Sequence, residues 1–99
     1  MRVVWSTQAV EDLRQIIASI REQDPKAARR ITRQIRDAAR RLQRYPLSGR
    51  FVPELTEGVY REVIVRDYRI IYRAGREIVL NLTVVHGRRD LPSLPDIGG

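Results

Sequence analysis

The sequence of 99 residues contains no cysteine and a single histidine. The absence of cysteine excludes a disulfide scaffold and a zinc site built on thiolates, and one histidine argues against a His-rich metal site. No apolar run reaches the roughly 20 residues of a membrane-spanning helix, and no signal-peptide pattern follows Met1. We therefore expect a cytoplasmic protein with no metal, no cofactor and no membrane association.

Lysine is nearly absent, although the chain is strongly basic. Lys26 is the only lysine among 19 basic residues, which face 12 acidic residues and give a net charge of +7. Residues 25–44 carry this imbalance, because eight basic residues there are opposed by Asp37 alone. Such localised charge favours a polyanion or an acidic protein as partner. The alternative is a solvated helix face, since arginine is also a good helix former.

The pattern of apolar residues predicts two helices and several strands. Residues 2–5 are typical of a strand, apolar residues recur at helical spacing between 9 and 20, and Asp24-Pro25 is a start signal for a second helix. A loop rich in Pro and Gly follows, and strands are predicted at 59–65, 68–73 and 77–86. The predicted fold class is α+β in the order βααβββ, with a two-helix antiparallel hairpin packed on one face of a small antiparallel sheet. We expect a single domain over 1–91 and a mobile C-terminal tail over 92–99.

Alternation along the last two strands predicts which side chains face away from the helices. In the last strand these are Val79 and Val85, and in the preceding strand Ile71 lies between Arg69 and Arg73. Because two helices cannot cover both faces of a sheet, we expect this face to stay open, partly apolar and rich in arginine. Such a surface suits a partner segment. The alternative is a half-polar face in contact with solvent.

Three motifs follow one another in a familiar order. They are the Pro-x-x-Gly-Arg loop at 46–50, the Tyr-Arg-Ile-x-Tyr-Arg strand at 68–73 and the closing His-Gly-Arg-Arg-Asp at 86–90. In these motifs and over about residues 3–91 the chain resembles the RelE/ParE family of bacterial toxins. The resemblance implies the toxin of a type II toxin–antitoxin system, held in a hetero-oligomer by its cognate antitoxin protein.

The family divides by target, and the end of this chain is similar to one branch. The RelE-like branch cleaves mRNA on the ribosome, whereas the ParE-like branch acts on DNA gyrase. The segment from His86 to Leu91 resembles the ParE-like branch, and no aromatic residue follows Tyr72, where the ribonuclease branch often has a tyrosine. The resemblance therefore implies growth inhibition through DNA gyrase. The alternative is a ribosome-dependent mRNA endoribonuclease, an mRNA interferase.

Three residues are catalytic candidates under the ribonuclease alternative. Cleavage by the 2′-hydroxyl needs a base, an acid and a cation for the phosphate. Arg69 matches the position of an arginine that the ribonuclease branch uses, and His86 is the conventional acid–base group at neutral pH. Alternation places His86 on the face of Leu82 and Val84 unless a bulge intervenes. Glu62 offers a base, although a cross-strand ion pair with an arginine is the favoured interpretation.

Other basic residues are candidates for binding. Arg50, Arg61 and Arg89 each lie close in sequence to an acidic residue, so they either hold the long loop and the sheet ends by ion pairs or form a basic cluster at the rim of the open face. Another interpretation of the chain is a non-catalytic nucleic-acid-binding module that contacts phosphates through its second helix. Binding of the target or the antitoxin is predicted for Arg50, Arg61, Arg73, Arg88 and Arg89, and binding of the antitoxin for Ile71, Val79 and Val85.

Overall fold

The computed structural model describes residues 1–87 and residue 91. Its elements are β1 (Arg2–Trp5), α1 (Thr7–Gln23), α2 (Pro25–Arg41), β2 (Arg50–Phe51), β3 (Tyr60–Val65), β4 (Tyr68–Ala74) and β5 (Ile78–His86). The strands form one sheet in the order β1-β5-β4-β3-β2. The predicted α+β class is confirmed, and the short β2 is an addition within the predicted loop. The predicted tail and two binding candidates, Arg88 and Arg89, lie outside the described residues.

Two side-chain caps define the helical hairpin. The Ser6 hydroxyl accepts a hydrogen bond of 3.0 Å from the Ala9 amide and begins α1. The Asp24 amide donates to the Ile20 carbonyl at 2.7 Å, while the Asp24 carboxylate accepts from the Ala27 amide at 3.1 Å. Asp24 therefore ends one helix and begins the next, and α1 and α2 are joined through this single residue.

The hairpin packs on one face of the sheet. Ile35 and Ala38 of α2 pack against Ile70 of β4, and all three are almost completely inaccessible. Leu42, the residue that caps the end of α2, packs against Tyr72. Burial of each large apolar side chain stabilises the fold by ~1.5–3 kcal/mol. The predicted packing of the hairpin on one sheet face is therefore present.

The first strand joins the sheet in parallel to the last one. β1 pairs with β5 from Arg2–Ile78 to Trp5–Asn81, whereas the other pairings are antiparallel. Beyond Trp5, α1 lies along the edge of β5. The Asp12 carboxylate accepts a hydrogen bond of 3.1 Å from the Val84 amide there and another from the Thr83 hydroxyl. These contacts satisfy polar groups that an exposed strand edge would leave free.

A bulge changes the face of the first half of β5. The register runs from Ile71–Thr83 to Tyr72–Asn81 and so skips Leu82. Because β5 has one extra residue at this point, the side chains that precede Leu82 lie on the opposite face from the one that strict alternation predicts. The placement of Val79 on the open face is therefore wrong: Val79 is fully buried among Leu42 and Tyr72 on the helix face.

The opposite face of the sheet is covered as well. Val52 and Leu55, from the segment after β2, pack with Leu91 over Ile71 and Val85. Ile71 is 0% and Val85 is 6% exposed. The expectation of an open, partly apolar face is therefore wrong, because the long loop supplies the apolar cover that two helices cannot.

None of the helices in the described ranges, 1–87 and 91, is long and apolar enough to cross a membrane. Over the same residues, no group of three or more acidic and histidine side chains is placed to hold a metal ion.

Candidate functional site

Arg69 lies on the sheet face away from the helices and is paired with two carboxylates. Only 5% of the residue is exposed. Its Nη1 and Nη2 donate to the two Glu54 carboxylate oxygens at 2.7 and 2.8 Å, and its Nε donates to Glu62 at 2.7 Å. Bidentate pairs of this kind are among the strongest charge-assisted hydrogen bonds. The cation expected to hold a phosphate is therefore already bound within the chain.

Glu62 is the buried centre of this network. Its side chain is completely inaccessible, and it accepts a second hydrogen bond, of 2.6 Å, from Arg50 Nε. Arg50 lies directly opposite Glu62 in the pairing of β2 with β3. The cross-strand ion pair predicted for Glu62 is thus present. These connected side chains form the Arg69 network, which consists of Arg50, Glu54, Glu62 and Arg69.

The hydrogen bonds between Arg69 and Glu54 shift the pKa values of both groups. Those from Arg69 are the main cause that lowers the pKa of Glu54 below 4.5, and the same pair raises the pKa of Arg69. Both shifts favour the charged forms. The pair therefore stays ionised at neutral pH, and Glu54 holds the segment after β2 against β4.

We expect Glu54→Gln to lower the free energy of unfolding at pH 7. The free energy of unfolding of the variant should also depend less on pH than that of the wild type. Because the folded-state pKa of Glu54 is lowered, its contribution is present above the unfolded pKa of about 4.3 and is lost as the pH falls through the folded value. Urea unfolding of the wild type and the variant between pH 3 and pH 7 measures this. The difference between them shrinks as the pH falls below about 4; a constant difference would contradict the pairing.

The pairing register places His86 on the sheet face opposite to that of Arg69. His86 lies opposite Tyr68 in β4, and the two rings meet edge to face with centroids 5.7 Å apart. Tyr68 packs with the helix-face core, whereas the neighbouring Arg69 points to the other face. Both Arg69 and His86 line a cavity of about 420 Å³ at this end of the sheet. Their side chains belong to opposite faces of the sheet, and Arg69, the candidate cation for a phosphate, is already paired with Glu54 and Glu62.

Two other basic candidates, Arg61 and Arg73, lie among the described residues. Arg61 donates to the Leu47 and Gly49 carbonyls at 3.2 and 2.9 Å, and its guanidinium lies 4.1 Å from the centre of the Phe51 ring. It therefore holds the loop before β2 through carbonyls and not through Glu62. Arg73 is half-buried on the same face as Arg69. Binding of the target or the antitoxin by Arg50, Arg61 and Arg73 stays a prediction.

A second feature is a groove between α1, α2 and β1. Trp5, Leu13 and Ile17 contribute to its apolar wall, and its volume is about 660 Å³. Val10 lies in the groove and is 53% exposed. The sequence analysis did not predict this groove; the signal for it was Val10, an additional apolar residue beside Ala9 at the start of α1. Four arginines also line this groove, which is called the arginine-rimmed groove: Arg14, Arg21, Arg36 and Arg40.

Comparison with known proteins places this architecture in one family. A family model described as "ParE toxin of type II toxin-antitoxin system, parDE" matches residues 3–91. A protein of Sinorhizobium fredii named "Putative toxin Y4kP" is 36% identical over 95 residues, which cover 94% of this chain and 95% of that protein. The solved structure "Chromosomal ParDE TA system from P. aeruginosa" has a TM-score of 0.73 at 18% identity, over 87% of this chain and 95% of its own. The chain belongs to the family of ParE toxins of type II toxin–antitoxin systems.

Proposed function

We propose that this toxin inhibits growth by binding DNA gyrase and that it does not cleave RNA. The observation that supports this most is the bidentate pairing of Arg69 with Glu54. A ribonuclease needs a cation free to stabilise the charge that develops on the phosphate. The N–H groups of Arg69 donate to the carboxylates of Glu54 and Glu62, and His86 lies on the opposite face of the sheet. The resemblance of the chain to the ParE-like branch supports gyrase as the target.

Two assays on the purified chain test this proposal. We expect loss of DNA supercoiling by gyrase, with mRNA on translating ribosomes left intact. His86→Ala is expected to retain full inhibition, because no step of a binding mechanism uses the imidazole. Cleaved mRNA together with untouched supercoiling, and a loss of cleavage in His86→Ala, would establish the mRNA endoribonuclease instead.

We also propose that the antitoxin binds in the arginine-rimmed groove through an acidic, amphipathic helix. An apolar wall between cationic rims fits such a helix, and the attraction between opposite charges accelerates association. The earlier candidates are less accessible. Val79 is buried under the helices, and contact with Ile71 or Val85 stays a prediction that requires the segment after β2 to move.

Val10→Asp is expected to weaken antitoxin binding at least about tenfold, because a carboxylate would be buried in the apolar part of the groove. Val59→Asp is the matched control, since Val59 is also an exposed valine, at 40%, but lies in the loop before β3. Titration calorimetry with the protein encoded by the adjacent gene measures both variants. Equal affinities for the two variants would exclude the groove as the antitoxin site.

A further inference from the structure

The outward side of α2 carries a continuous band of positive charge. Its members are exposed and begin one residue after Pro25. The band spans about 27 Å at 1.5 Å per residue, including the turns that follow α2. It is referred to as the α2 basic face and consists of Lys26, Arg29, Arg30, Arg33, Arg40, Arg41 and Arg44.

Little negative charge opposes this face. Asp37 is the only acidic residue of α2, and it lies 3.8 Å from Arg40 with both side chains more than half exposed. An exposed pair of this kind contributes ~0–1 kcal/mol and is screened by salt. On one flank, Arg66 donates to Gln34 Oε1 at 2.7 Å, which adds a guanidinium beside the band. The local field of the face therefore remains strongly positive.

The chemistry of the α2 basic face differs from that of the groove. A protein–protein interface has an apolar centre within a polar rim, as the arginine-rimmed groove does. The α2 basic face has only charged side chains across its centre, such as Arg33 and Asp37, and no aromatic side chain that stacks on a base. Guanidinium groups pair well with phosphate oxygens. A row of them along a helix matches a repeated anion better than a folded protein surface.

We propose that the α2 basic face binds the phosphate backbone of duplex DNA, without sequence preference. This inference goes beyond the proposed action on gyrase and does not depend on it, since DNA alone is the ligand. Contact with about four phosphates gives a slope of about −3.6 for log K against log salt concentration. The α2 basic face shares Arg40 with the arginine-rimmed groove, whereas the wall of the groove that β1 contributes, Val3 and Trp5, is not part of the face.

The test is fluorescence anisotropy of a labelled 20-bp mixed-sequence DNA with the full chain in 50–300 mM salt. Arg33→Gln is expected to reduce the magnitude of the salt slope by about 1 and to weaken binding about fivefold to tenfold at 0.1 M salt. Arg76→Gln removes one charge from the turn between β4 and β5 and is expected to change affinity less than about twofold. A salt slope steeper than about −2, with a larger effect of Arg33→Gln, supports the proposal.

Three outcomes would overturn it. The first is no binding of DNA at 50 mM salt. The second is an equal effect of Arg33→Gln and Arg76→Gln, which would assign binding to net charge alone. The third is stronger, Arg33-dependent binding of polyglutamate or of duplex RNA, which would assign the face to an acidic protein or to RNA. Because gyrase is absent from the assay, its result is separate from the supercoiling test.

Discussion

Replacement of Arg69 by methionine is expected to lower the free energy of unfolding by about 3–5 kcal/mol. The Glu62 side chain is completely buried and depends on Arg69 and Arg50 for its compensating charge. Removal of Arg69 leaves that carboxylate with one partner, Arg50, which is itself 63% exposed. Urea denaturation at pH 7 measures the loss. An unfolding free energy equal to that of the wild type would contradict the role of the network.

The double variant Arg69→Met/Glu62→Leu is the control for this prediction. It removes the buried anion together with the cation, so we expect it to recover most of the lost stability. Arg50 and Glu54 then turn to solvent, since each is about half exposed or more. Toxicity should follow stability across these variants if the toxin is a binder. A ribonuclease would instead lose RNA cleavage in Arg69→Met while the double variant, though folded, stayed inactive.

Gly49→Ala is expected to destabilise the chain by about 3 kcal/mol, because the site has no room for a methyl group. A Cβ at Gly49 would lie 2.7 Å from the Glu62 carbonyl oxygen and from the Tyr72 ring and hydroxyl. Tyr72 cannot retreat easily: it is fully buried, accepts from the Gly49 amide at 2.9 Å and donates to the Pro46 carbonyl at 2.8 Å. Thermal or urea unfolding measures the effect.

Gly75→Ala is the comparison, since a Cβ there would meet a single backbone atom, the Ile78 carbonyl oxygen, at 3.3 Å. We expect a loss of about 1 kcal/mol or less. If the two alanine variants unfold at the same denaturant concentration, the prediction that a Cβ at Gly49 destabilises the fold by clashing with Tyr72 is contradicted.

Local signals in the sequence were sufficient for most of the fold. The Asp24-Pro25 start signal and the alternation of β4 depend on neighbours within a few residues, and both lie where they were predicted. The pairing of β1 with β5 was not predicted, because nothing within four residues of β1 identifies a partner so distant in the chain.

The errors at the site have two physical causes. The face of Val79 was deduced by counting alternate residues back along β5, and the bulge at Leu82 adds one residue without a glycine or proline to indicate it. The cover over Ile71 depends on Val52 and Leu55, two isolated apolar residues in a segment without periodicity. The partners of Arg69 were also unpredictable in part, since Glu54 reaches it from that same loop.

The parallel pairing of β1 with β5 has a consequence for synthesis. The Ser6 hydroxyl donates a hydrogen bond to the Leu82 carbonyl across 76 residues of sequence, and within residues 1–87 β5 is the only strand against which β1 pairs. A nascent chain can form the local α1–α2 hairpin early, but β1 has no strand partner until β5 has been translated. Val3 and Trp5 line the arginine-rimmed groove only once β1 is in place. The full wall of this groove, including Val3 and Trp5, therefore forms only after β5 has been made.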